Sequence, residues 1–234
     1  LRINSKAIAL SSLNYGDNSL ISKVYSKEFG FISLISSARK NKKQGLKHYF
    51  DPLNCIQLSF YYRANKDLHR LTEVSNAAKR IGNESTIETI KKSSLRFFLA
   101  ELLGKILTQT EKDDLLFEFL WKKSEELLTA EDIDSNFHLL FMWELCDILG
   151  ISPVLSTEGE FFDHEEASFV IRRPRHKSFE GSEVKLLLMQ LKEDGQLNQV
   201  QRQSLIRFFL RYFEFQFGGL GKLKTLDVLE SVFS

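Results

Sequence analysis

Five short apolar stretches crowd into the first eighty residues, and no other feature limits the possible folds of this chain as strongly. Lys6–Leu13, Leu20–Tyr25, Phe31–Ala38, Cys55–Tyr62 and Leu68–Val74 read as strands. The fourth has a plain two-residue period, with Ile56, Leu58, Phe60 and Tyr62 on one face. Asn14–Asn18, Glu28–Gly30 and Arg63–Asp67 punctuate them with residues that tolerate turn geometry, and Pro52 sits in a connection where a missing N–H costs nothing. Five antiparallel strands in so short a span are too few for a sandwich of usual size. A small closed barrel buries their apolar faces and removes exposed edges. An OB-like barrel is expected, with an SH3-like barrel the alternative that pattern alone leaves open.

From Glu84 onward the period becomes helical. Asn83–Ser85 offers a cap, after which Ile87, Ile90, Phe97, Phe98, Leu102 and Ile106 recur at helical spacing to about Gln109. Further helices are predicted over Asp113–Leu128, Asn136–Leu149 (ended by Gly150 and Pro153), Glu183–Leu191, Asn198–Phe217 and Leu226–Val232. Asn198–Phe217 is apolar on nearly every side, which predicts a central, buried helix. The expected fold class is α+β and multidomain. An N-terminal small antiparallel OB-fold barrel at 1–80 precedes an all-α domain at 81–234, with an irregular insertion holding a small hairpin at about 151–180.

Charge divides at the same place. Residues 1–83 carry 14 Lys and Arg against 5 Asp and Glu, and residues 84–234 carry 18 against 26, so a net charge of +1 hides halves of +9 and −8. The densest cations lie in Ser36–Lys47, where Arg39, Lys40, Lys42, Lys43 and Lys47 occur with no acid among them. This stretch reads as a cationic loop mounted on the end of a strand, a place where scaffolds commonly present binding residues. Such a cluster suits phosphates, because each contact releases condensed counterions. Lys23, Arg63, Lys66 and Arg70 extend the candidate DNA-binding set over the barrel. Tyr25, Phe50, Tyr61 and Tyr62 are either stacking platforms for bases or core.

Signals of chemistry are sparse. There is no phosphate-loop motif and no nucleophile elbow. Asp163, His164, Glu165 and Glu166 could each bind a metal, yet adjacent residues on a regular element cannot all face one ion. His48, His69, His138 and His176 are scattered, and Cys55 and Cys146 form no pair motif. A binding protein is favoured over an enzyme, with no catalytic residue, metal or cofactor expected. No apolar run suggests a membrane span, Arg2, Asn4, Ser5 and Lys6 interrupt any secretory pattern, and a reducing cytoplasm is the expected compartment.

Four stretches resemble the RecO family of bacterial recombination mediators. Lys6–Leu20 is similar to the family's opening apolar run followed by Tyr-Gly and an acid, and Val24–Ser33 to its strand, Glu-x-Gly turn and strand. Ala38-Arg39-Lys40 followed by Phe50-Asp-Pro-Leu53 is similar to its basic loop and the Pro-Leu after it. Arg211–Gly218 with Leu223-Lys-Thr-Leu226 is similar to its C-terminal signature. The resemblance implies an OB domain and a helical domain, binding to single- and double-stranded DNA, and annealing of complementary strands. It also implies work with RecR to help RecA onto DNA coated by single-strand-binding protein, in a bacterial, nucleoid-associated setting. It assigns the basic loop to DNA. It places a contact for the acidic, apolar tail of single-strand-binding protein on the helical domain, where Arg202, Arg207 and Arg211 beside Phe208 are the candidates. Many members carry a four-cysteine zinc site after the third helix; residues 147–234 here contain no cysteine. A protein-interaction adaptor with an incidental basic barrel is the alternative function.

Overall fold

The computed structural model describes residues 1–37, 40–77, 86–108, 110–155, 158–175, 179–193 and 195–233, with 40–44 and 179 described by their backbone. The five strands expected from the sequence form: β1 (Arg2–Tyr15), β2 (Ser19–Ser26), β3 (Gly30–Ser37), β4 (Cys55–Tyr61) and β5 (Leu68–Asn76). They close into a barrel in the order β1-β2-β3-β5-β4. All neighbours are antiparallel except β3 and β5, because β5 returns beside β3 while β4 closes onto β1. This is the Greek-key order of an OB-like barrel. Inward positions alternate along every strand, so Ala7, Ala9, Leu20, Val24, Ile32, Leu34, Ile56, Leu58, Phe60 and Leu71 fill the interior. Phe29 stacks on Tyr62 at 4.3 Å and seals one region of that core.

From Lys40 onward the cationic stretch is helical and not a loop. Its residues from Lys40 to Tyr49 form helix α1. Lys, Gln and Leu are good helix formers, and the segment has no Pro or β-branched residue to oppose them. Leu46 and Tyr49 lie on one helical face and pack with Phe50 against the barrel core. Phe50 is therefore core and no platform for bases, and Tyr25 is fully buried as well.

Two helices follow, α2 (Thr86–Ile106) and α3 (Asp114–Thr129). The predicted cap at Asn83–Ser85 lies outside the described residues. Asp113 caps α3, its carboxylate accepting from Leu116 N at 2.9 Å. Both helices pack on the barrel. Arg96 of α2 donates to Pro52 O at 2.8 Å and Asn54 Oδ1 at 3.0 Å, and Lys27 of the β2–β3 turn reaches Glu118 of α3 at 2.8 Å. Gly30 makes this approach possible. Its φ is +67°, and a Cβ there would stand 2.6 Å from the Glu111 carbonyl group. By compactness the chain divides into Leu1–Ile133 and Asp134–Ser234, so α2 and α3 belong with the barrel.

The second unit holds α4 (Phe137–Ile148), β6 (Phe161–Asp163), β7 (Ser168–Val170), β8 (Phe179–Gly181), α5 (Glu183–Lys192), α6 (Gln199–Phe217) and α7 (Leu226–Val232). Gly150 takes φ +70° just beyond α4, and a capping box between Asn198 and Gln201 starts α6. The excursion after α4 is a three-stranded antiparallel sheet, β7-β6-β8, one strand more than a hairpin. Phe162 of β6 packs edge-on against Phe169, Phe208 and Tyr212. Phe208 is fully buried in that cluster, so it cannot present itself to a partner as the sequence reading proposed.

Candidate nucleic-acid interface

Part of the barrel's outer surface is covered by its own unit. Cys55, Ile8, Tyr25 and Phe31 pair in one register row, and all but Phe31 are buried. The Tyr25 hydroxyl donates to Glu111 O at 3.2 Å, and burial, reinforced by the Asp113 charge, pushes its pKa up to about 12. Cys55 lies against Trp121 O, and burial raises its thiol to about 12. Two cations are consumed on this side. Lys6 sits over the Trp121 ring, and Lys27 lies over Phe117 while pairing with Glu118, whose hydrogen bond raises its pKa.

Another part is open among the described residues. Pairing in register links Leu13 (β1), Ile21 (β2), Ile35 (β3), Arg70 (β5), Tyr61 (β4) and Arg2 at the start of β1, a row that runs around the whole barrel. Each occupies an outward position and is exposed or half-buried. At strand spacing the row from Leu13 to Tyr61 measures about 19 Å along the surface. Two residues along, a second outward row carries Ser11, Lys23, Ser33 and Leu68. The turn at 16–18 lies beyond Leu13, and the connection at 62–67 lies between Tyr61 and Leu68. In OB folds the face of the second and third strands, with these two connections, is where oligonucleotides bind.

This face gathers four of the predicted cations. Lys23 and Arg70 stand on it, and Arg63 and Lys66 are exposed in the adjoining connection. None of the four has a carboxylate partner among the described residues; Lys23 lies 5.9 Å from the Phe31 ring centroid. Arg2 is different, since Glu73 pairs with it at 2.8 Å. The backbone N of Arg63 donates to His69 Nδ1 at 3.4 Å, and burial lowers the His69 pKa, with Asp67 opposing. Lys47 is exposed in the last turn of α1. Lys40, Lys42 and Lys43 lie on α1 with side chains outside the description, and Arg39 lies outside the described residues. Of the aromatics, Tyr61 is exposed on the open row, whereas Tyr62 is half-buried against Phe29.

The predicted partner site on α6 is not gathered into one patch. Arg202 donates to Leu197 O at 2.6 Å and Phe233 O at 3.0 Å, holding the chain at both ends of the last two helices. Arg211 makes a bidentate pair with Glu180 of β8, and Arg207 is exposed at 4.0 Å from Glu230. The metal-capable run turns its groups apart. Asp163 accepts from Glu165 N and Glu166 N, and His164 points into a cage of Phe162, Phe208, Tyr212 and Phe215. Among the described residues no three His, Cys, Asp or Glu side chains are grouped to hold a metal, and no helix is long and apolar enough to cross a membrane.

Sequence reasoning missed the aliphatic members of the open face, Leu13, Ile21, Ile35 and Leu68. The signal was present: Ile21 and Ile35 alternate with the buried Leu20 and Leu34, so they could not share the core face.

A family model described as recombination protein O N terminal matches residues 1–79. The whole chain is 33% identical to the DNA repair protein RecO of Azobacteroides pseudotrichonymphae genomovar. CFP2, over 98% of each protein. It is 31% identical to the DNA repair protein RecO of Flavobacterium psychrophilum over 100% of each, and 32% identical to that of Phocaeicola vulgatus over 97% of each.

Proposed function

The chain belongs to the RecO family of DNA repair proteins, and on that premise we propose that it binds single- and double-stranded DNA through the open barrel face and anneals complementary strands. In the same role it helps RecA onto DNA coated by single-strand-binding protein, with RecR as its partner, in the cytoplasm. The observation that carries this proposal is the cation set Lys23 of β2, Arg70 of β5 and Arg63 and Lys66 of the connection between β4 and β5, without carboxylate partners among the described residues. Two DNA strands repel each other through their phosphates, and a protein that neutralises several of them lowers that barrier and releases counterions. The long-range field of such a face also speeds encounter. For the acidic tail of single-strand-binding protein, Arg207 is the exposed cation of α6, held among the described residues only by a 4.0 Å contact to Glu230, while Arg202 and Arg211 serve shorter internal bonds.

The role proposed is binding, with no covalent bond made or broken. The strongly shifted titratable groups, Tyr25, Cys55, His138, Cys146 and Tyr212, are all buried side chains and do not converge on the open face. The test is annealing of two complementary oligonucleotides, bare and coated with single-strand-binding protein, across a salt series. Acceleration over the uncatalysed rate that fades as salt rises is expected. Folded protein that gives no acceleration at low salt overturns the annealing role and leaves an adaptor.

A further inference from the structure

The open face is amphipathic. Its register row begins with three aliphatic side chains, Leu13, Ile21 and Ile35, and continues with Arg70 and Tyr61. Leu68 joins the aliphatic part from the neighbouring row, beside Lys23 across Ser33. Leu13 is 50% exposed and Leu68 37%, on strands whose alternate residues are deep in the core. Phosphate binding gives no reason for aliphatic groups there. Cations alone would attract any polyanion, single or double-stranded, in proportion to its charge density.

We propose that Leu13, Ile21, Ile35 and Leu68 receive the faces of unpaired bases and thereby make this surface selective for single strands. This rests on the DNA-binding role proposed above and assigns its specificity to named residues. A duplex keeps its base faces stacked inside and offers a protein only phosphates, sugars and groove edges. An unpaired strand offers a flat, weakly hydrated face on every base, whatever its identity. Lys23 and Arg70 flank the aliphatic strip on strands β2 and β5, so a strand lying along the row sets its phosphates against the cations and its bases against the aliphatic groups. Charge complementarity therefore favours nucleic acid over a purely apolar partner as the occupant. The two kinds of group have separate tasks. The cations supply affinity for either form, and the strip supplies the difference between the forms.

The test uses the full chain with Ile21→Thr and Ile35→Thr combined, which keeps β-branching and strand propensity. Binding to an oligothymidine and to a duplex is measured by fluorescence anisotropy at fixed salt and along a salt series, with a thermal melt to verify folding. Both positions are half-buried, so the double variant is expected to weaken single-strand binding about tenfold while duplex binding changes less than about twofold. The log–log salt slopes stay as they are. Leu13→Thr alone, at the most exposed position, repeats the effect at smaller size without touching the core. Equal losses for both forms, or unchanged binding to both, overturns the proposal and leaves the strip to a protein partner. If the unaltered chain binds neither form, the DNA-binding role itself fails, and that result is distinct from the other two.

Discussion

Replacing Arg63 and Lys66 together by Gln tests whether cations lacking carboxylate partners drive DNA binding. Both are exposed in the connection at 62–67, neither pairs with a carboxylate among the described residues, and neither side chain enters the core, so the barrel keeps its fold. If Lys23, Arg63, Lys66 and Arg70 each neutralise one phosphate, the single-strand log–log salt slope is near −3, at about −0.7 per contact. Losing two contacts halves it to about −1.4. Each contact is worth about 0.7 log unit for a tenfold fall in salt below 1 M, so at 0.1 M the double variant binds roughly 25-fold more weakly, about 2 kcal/mol. The assay is anisotropy of a labelled oligothymidine from roughly 50 to 400 mM salt, the range over which such slopes are well defined. Arg2→Gln is the internal control. Arg2 lies on the same row, yet Glu73 already holds it at 2.8 Å, so its removal leaves the slope nearly unchanged. An Arg2→Gln slope change as large as that of Arg70→Gln refutes the reasoning, because net charge and not the pairing of individual groups would then govern binding.

Gly30→Ala places a side chain at φ +67°, with its Cβ 2.6 Å from the Glu111 carbonyl group. Strain and the clash together cost about 2–4 kcal/mol in a urea melt; a loss below about 1 kcal/mol would mean that the segment before α3 yields freely. His138 is buried without a hydrogen-bond partner among the described residues, and burial, with Arg202 adding, lowers its pKa to about 3. The folded state thus binds fewer protons than the unfolded state between about pH 3 and 6.5, and stability falls as pH drops through that window, by about 2 kcal/mol from pH 6.5 to 5. His138→Leu flattens this dependence in pH-resolved urea melts, and an unchanged slope would assign it to other groups. Glu180→Gln weakens the bidentate pair with Arg211 and destabilises the second unit by about 2 kcal/mol, read as a lower melting midpoint. The two cysteines are buried with raised thiol pKa values, so a thiol reagent at pH 8 labels neither until denaturant is added; fast labelling of the folded chain would contradict their burial.

The sequence by itself determined the strands, most helix bounds and the family resemblance. Period and capping depend on residues close together in the chain. Gly150 behind α4 acts within a turn of where it stands, so its role was legible before any coordinates, while Asp113 and Asn198, read as the first residues of α3 and α6, turn out to be their caps. The segment around α1 was not legible as a helix, because its charge suggested a solvated loop and its packing face is only Leu46, Tyr49 and the following Phe50. Tertiary structure alone decided which cations remain available. Lys27 is neutralised by Glu118, 91 positions away, while Lys23, one outward position from the open row, lacks any such partner among the described residues. It also decided which aromatics could meet a ligand, since Tyr25 is covered by a segment 86 positions on and Phe208 by the small sheet, whereas Tyr61 stays exposed. Residue type states what a side chain could do, and burial and pairing state whether it is left able to do it. Both are set by contacts between parts of the chain too distant in sequence for local pattern to register.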